Sequence, residues 1–143
     1  MPMITEFKEF FKDQNYDRTN NPKQLPINDL LPIGISWSVE NNTYRLDLKN
    51  GAIVHLLSDM SGIAIVEMEN EQLGEVSRAC IINACGNVRF EIQLPAWAIA
   101  NGRFYDVYYI ENDLCFFFFS NNEDYRMIVD AENGNIKDVL KSR

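Results

Sequence analysis

From Ile35 onward the chain alternates apolar and polar positions, and it does so nearly to its end. Tyr44, Leu46 and Leu48 alternate with Arg45, Asp47 and Lys49, the pattern of a half-buried strand. Asn50-Gly51 follows, and Ala52–Leu57 resumes the alternation. Both central residues of a type I′ turn take positive φ, so this dipeptide predicts a hairpin. A two-residue loop there sets Leu48 against Ile53, Leu46 against His55 and Tyr44 against Leu57, all on the core face. The same reasoning places a turn at Gly86-Asn87, between Ala79–Cys85 and Val88–Leu94, with Ile81 opposite Ile92. Asn112-Asp113 divides Phe104–Glu111 from Leu114–Phe119. Asn133-Gly134 divides Tyr125–Glu132 from Asn135–Leu140 and sets Asp130 opposite Lys137. Ile35–Glu40, turning at Asn41-Asn42, and Ile63–Glu69, entered through Ser58–Gly62, are further strands. Pro95–Ala100 suits one helical turn that stops at Asn101-Gly102.

The first residues follow a different spacing. Phe7, Phe10 and Phe11 recur at i, i+3 and i+4, Thr5 is a capping residue, and Glu6 and Glu9 occupy a first turn. This predicts a short helix over residues 1–14 that covers an open edge or mouth. Pro22, Pro26 and Pro32 make 15–33 an irregular connector. The rest, 34–143, reads as about ten short strands joined by tight turns, which forces antiparallel neighbours. The expected fold is mainly β: one domain over 1–143, an up-and-down meander curled into a half-barrel or a sandwich. Ile136, Val139 and Leu140 also allow a C-terminal helix over Ile136–Lys141, an α+β alternative.

Charge narrows the partners. Lys and Arg number 13 against 21 Asp and Glu, for a net charge of -8 and a pI near 4.6. Such a balance disfavours nucleic acid and anionic membranes and suits a basic partner. With 46% hydrophobic residues the chain has enough apolar surface for a core. Its longest unbroken apolar run, Leu114–Phe119, is far short of a membrane span. Met1–Gln14 carries charges throughout and lacks the apolar centre of a secretory signal, so a cytoplasmic protein with three reduced thiols is expected.

Catalytic chemistry finds little support. His55 is the one histidine and falls between Ile53 and Leu57, where a core role explains it; Ser58 and Asp59 are near it only in sequence. Cys80 and Cys85, five apart, point to opposite faces of a regular strand. No CxxC exists, so neither a metal nor a cofactor is expected. Asp130-Ala-Glu-Asn-Gly-Asn departs from a calcium loop in the place of its glycine, and a hairpin explains it. The expected class is a binding protein and not an enzyme.

Two features stand out. Glu67, Glu69, Glu71 and Glu75 form a block with no base before Arg78, and Asp106–Glu132 carries seven carboxylates against the single Arg126. Solvated strand ends explain such blocks, as does an acidic docking face. The pair Phe104–Ile110 and Leu114–Phe119 is apolar at both parities, hence buried on both sides or covered by a partner. Tyr105, Tyr108 and Tyr109 have the apolar body and polar tip of interface residues. Glu67, Glu69, Glu71, Tyr108, Tyr109, Glu111, Asp113, Glu123 and Asp124 are therefore the candidate partner-binding residues.

The acidic blocks Glu67–Glu75 and Asp106–Glu132, with the hairpin series ending Asp130-Ala-Glu-Asn-Gly-Asn-Ile, give a chain that resembles the bacterial immunity proteins of contact-dependent growth inhibition, a polymorphic toxin system. The resemblance is one of overall character and transfers no functional residue. It implies a protein that binds and neutralises a cognate toxin domain as a heterodimer by covering its active site. A basic toxin nuclease, such as an RNase A-like toxin, suits the charge. The alternative is a generic bacterial β domain that binds a small ligand or serves as an assembly module.

Overall fold

The computed structural model describes residues 2–70 and 77–142. Among them eleven strands form three antiparallel sheets, each a meander of chain neighbours. The first sheet holds β1 (Thr5–Phe10), β2 (Gly34–Val39) and β3 (Asn42–Asp47). The second holds β4 (Ala52–Leu56), β5 (Gly62–Glu67), β6 (Arg78–Asn83) and β7 (Val88–Ile92). The third holds β8 (Arg103–Ile110), β9 (Asp113–Ser120), β10 (Glu123–Val129) and β11 (Ile136–Lys141). The expected antiparallel meander is present as stacked open sheets, with no closed barrel among the described residues.

The second sheet is the middle layer. Ala64 and Val66 of β5, with Ala79 and Ile81 of β6, pack against Phe104, Val107, Phe116, Phe118 and Met127 of the third sheet. Their alternates Ile63, Ile65 and Ile82 pack against Ile35, Trp37 and Val39 of the first. Burial on both faces explains why Ile63–Val66 is an unbroken apolar run rather than an alternating one. The Trp37 indole N–H donates to the Ala84 carbonyl at 2.7 Å and ties the first layer to the β6–β7 turn. Arg89 fastens two loops and the end of β6, donating to Asn83 Oδ1, the Ala131 carbonyl and both the carbonyl and hydroxyl of Ser61.

The structure corrects several expectations, among them the turns at Asn41-Asn42 and Asn112-Asp113, which fall one residue earlier at Glu40-Asn41 and Glu111-Asn112. The N-terminal helix is strand β1, paired with β2. A bulge between Thr5 and Lys8, with Glu6 at φ 52°, shifts the side-chain parity. Phe7 therefore reaches the core, while Phe10 lies under the Arg45 guanidinium and Phe11 under that of Arg18. Asn50-Gly51 is not a hairpin. Gly51 has the expected positive φ of 80°, but the backbones of Ile33 and Pro32 accept from Leu48 and Ala52 and carry the chain into the next layer. The pairings of Leu48, Leu46 and Tyr44 with β4 do not form.

Two hairpins also shift register. Ile81 faces Phe90, because the β6–β7 turn is longer and the ladder is bulged beside it. Asp130 does not face Lys137, since a bulge next to Val129 pairs that residue with Ile136. Strand β11 removes the alternative helix at Ile136–Lys141. The connector 15–33 contains only the four-residue helix α1 (Ile27–Leu30), and a 3₁₀ turn over Ala96–Ala98 joins β7 to β8.

Candidate protein-binding face

The third sheet has one face in the core and one turned away from the other layers. Phe104, Val107, Leu114, Phe116, Phe118, Met127 and Val129 point inward. Register sets the outward row. Asp106 and Arg126 lie across from Phe117, Tyr108 and Ile128 across from Cys115, and Asp124 across from Phe119. Leu140 and Asp138 of β11 continue those rows. A bulge between Phe104 and Asp106 brings Tyr105 onto the same side, its ring 6.3 Å from that of Phe117. Tyr108, also on β8, packs against Phe117 at 4.4 Å. Phe117 is thereby 2% exposed, while Tyr105, Tyr108 and Phe119 remain 37%, 42% and 43% exposed.

Acid dominates this face. Among the described residues Asp106, Asp113, Asp124 and Asp138 have no ion-pair partner within 4.0 Å. Asp106 is half-buried. Burial pushes its carboxyl pKa up, against the Val107 N–H it accepts at 2.9 Å and the attraction of His55. The Tyr105 hydroxyl is pushed up to about 12, first by burial and then by the neighbouring carboxylates of Asp124 and Asp106. Arg126 is the cation at the centre of the face, and its Nε is buried without a hydrogen-bond partner.

The structure brings Tyr108, Asp113 and Asp124 to this one face, with Glu111 exposed at φ 56° in the adjoining Glu111-Asn112 turn. Tyr109 has the opposite parity. Its ring packs edge-on to His55 at 5.4 Å and its hydroxyl accepts from the Ser58 N–H. Glu123 is on the inward parity and lies 3.7 Å from Lys141. Glu67 ends β5 across from Arg78, in the middle sheet. Glu69 accepts from Arg103 Nε at 3.1 Å and so joins the middle sheet to β8. Glu71 lies outside the described residues. Tyr105, Asp106, Phe117 and Phe119 are among the residues of this face beyond the candidate set. The bulge hides Tyr105 from a period-two reading, whereas Asp106 keeps the parity of Tyr108.

Other sites offer less. A cavity of about 410 Å³ between β2–β3 and the β6–β7 turn is bounded by Val39, Glu40, Tyr44, Cys85 and Arg89, but Arg89 is engaged by protein acceptors. His55 faces the core layer beside Tyr109, its Nδ1 2.9 Å from the Leu56 carbonyl. Among the described residues no group of three or more His, Cys, Asp and Glu has metal-site geometry. No helix among them is long and apolar enough to cross a membrane.

No family model matches the chain, and no curated protein matches it. Its fold is shared with a chain in the solved structure of Tne2 in complex with Tni2, at a TM-score of 0.75 and 15% identity, over 99% of this chain and 100% of that one. At that identity the likeness shows a common fold across the whole length of both chains.

Proposed function

We propose that the protein is an immunity protein that binds and neutralises a cognate toxin domain as a heterodimer in the cytoplasm, without catalysis of its own. The observation that carries this reading is the outward face of the third sheet, where exposed aromatic rings stand among carboxylates without ion-pair partners. A fold shared with a chain solved in a two-protein complex supports it. Net charge of -8 favours a basic toxin, and a nuclease that grips phosphate is the basic enzyme class such a charge suits best. The candidate acids Glu67, Glu69, Glu71, Glu111, Asp113, Glu123 and Asp124 steer the encounter. Tyr108 acts as an anchor that is desolvated on binding, and Tyr109 braces β8 from behind it.

The test is growth of cells producing the C-terminal domain encoded by the adjacent upstream gene, with and without this protein. Protection is expected, with degraded RNA in the unprotected cells. Association with that domain should exceed the neutral range, on the order of 10⁷ M⁻¹s⁻¹ at low salt, and slow as salt rises. Protection without RNA damage removes the nuclease assignment alone. Absent protection, or association indifferent to salt, refutes the reading.

A further inference from the structure

We infer that the seat formed by Tyr105, Asp106 and Tyr108 over the buried ring of Phe117 receives an arginine guanidinium from a basic protein partner. The inference rests on the toxin-binding reading and names which of the acidic surfaces docks and what enters it.

The occupant follows from charge and shape. A second copy of this chain would set Asp106, Asp113, Asp124 and Asp138 against their equivalents, and nucleic acid or an anionic membrane would meet the same repulsion. A cationic protein surface is complementary. Within the face, Arg126 lies on the β10 flank of Phe117, on the same strand and face as Asp124. The carboxylate left open on the β8 flank is Asp106. One of its oxygens already accepts from the Val107 N–H at 2.9 Å, which fixes the group and leaves the other oxygen for a donor. Two tyrosine rings stand beside it, both held against Phe117, so their positions are set before a partner arrives. Aromatic faces beside a carboxylate suit a guanidinium better than an ammonium. The guanidinium is planar, weakly hydrated and able to stack while its N–H groups reach the carboxylate. By contrast, Glu69 is already engaged by Arg103, so the Glu67–Glu69 surface offers a less open carboxylate.

The probe is a peptide alternating Arg and Gly, compared with its Lys counterpart, titrated into the full-length ¹⁵N-labelled protein at fixed ionic strength. Amide shifts are expected at Tyr105–Tyr108, Phe117 and Phe119, with affinity for the Arg peptide roughly threefold or more above that for the Lys peptide. Asp106→Asn, nearly isosteric, should abolish that preference. Tyr105→Leu keeps an apolar cover over Phe117 and should weaken Arg-peptide binding while the unfolding midpoint stays close to the parent. Both variants should also weaken binding of the upstream-encoded toxin domain, roughly tenfold each. Absence of shifts at millimolar peptide, shifts centred on Glu67–Glu69, or equal response to Arg and Lys overturns the inference. Protection in cells that survives both variants does the same while leaving the immunity reading intact. Peptide binding at the seat without protection refutes the immunity reading and leaves the seat.

Discussion

Gly134→Ala probes how the third sheet is locked to the middle one. Gly134 has φ of 76° in the β10–β11 turn, and its N–H donates to the Asp130 carbonyl at 2.8 Å. A Cβ placed there would stand 2.7 Å from both Cγ and Cδ1 of Phe90, whose ring packs against the core from β7. Two costs follow. A left-handed backbone with a Cβ costs about 1 kcal/mol. Carbon atoms prefer roughly 3.5–4.0 Å, so the ring must move by about 1 Å, an overpacking that costs roughly 1–3 kcal/mol. The expected loss is about 2–4 kcal/mol in urea unfolding, with the slope unchanged. Combination with Phe90→Ala separates the terms. Without the ring, Gly134→Ala should cost only the backbone strain of about 1 kcal/mol, so the two changes should couple by roughly 1–3 kcal/mol. A loss under about 0.5 kcal/mol, or the same loss in both backgrounds, would refute this account of the turn.

Three further outcomes are expected. Trp37→Phe removes the buried donor to the Ala84 carbonyl and should cost about 1–3 kcal/mol in the same urea assay; an unchanged midpoint would count against the tie between the first layer and the β6–β7 turn. In thiol titration near neutral pH, exposed Cys85 should react first. Burial, helped by Glu67 and Glu91, pushes Cys80 up to about 11, and burial also raises buried Cys115; all three should react after denaturation without reductant, and fewer would indicate a disulfide. Burial raises the Asp106 pKa above its unfolded value, so the native state holds that proton more tightly and loses stability as pH climbs through the interval. With the parent's other groups unchanged, Asp106→Asn should be more stable than the parent near neutral pH, a gain that vanishes in acid; lower stability at neutral pH would show a paired carboxylate.

Strands were legible wherever local chemistry and layer position agree. Tyr44–Asp47 alternates because one side of β3 packs inward, and the β8–β9 and β9–β10 ladders follow tight turns. Asn121 and Asn122 both have positive φ and make the β9–β10 turn, which the alternation alone does not place. What the sequence does not hold is the destination of a turn. Asn50-Gly51 specifies a backbone reversal, but whether the next strand joins the same sheet depends on distant Pro32 and Ile33. Phe7, Phe10 and Phe11 likewise satisfy a helical stripe and a bulged strand equally, and the free edge of β2 selects the strand. The docking face was half legible for the same reason. Tyr108, Asp113 and Asp124 follow strict alternation, as does Asp106, whereas the bulge before Asp106 carries Tyr105 out of phase.

The two outermost faces of the stack form an internal comparison. The first sheet turns Ser36, Ser38, Thr43 and Arg45 outward, with Ser38 beside Thr43 at 3.5 Å, Arg45 paired to Asp47, and its outward ring, Phe10, covered by the Arg45 guanidinium. That is a solvated antiparallel sheet of the usual kind, polar outside and apolar within. At the far end of the stack, the same residue types would have satisfied the third sheet, because its core contacts all come from the inward parity. Instead the outward parity carries Tyr105, Tyr108, Phe117, Phe119 and Ile128 among aspartates without ion pairs. Exposed rings raise the risk of association, and a half-buried carboxylate without an ion pair opposes folding. Neither the core nor the register demands them, so their chemistry belongs to what the face meets. Desolvated rings supply area and an unpaired carboxylate supplies a charge to be matched. A basic protein surface uses both, and pure water uses neither.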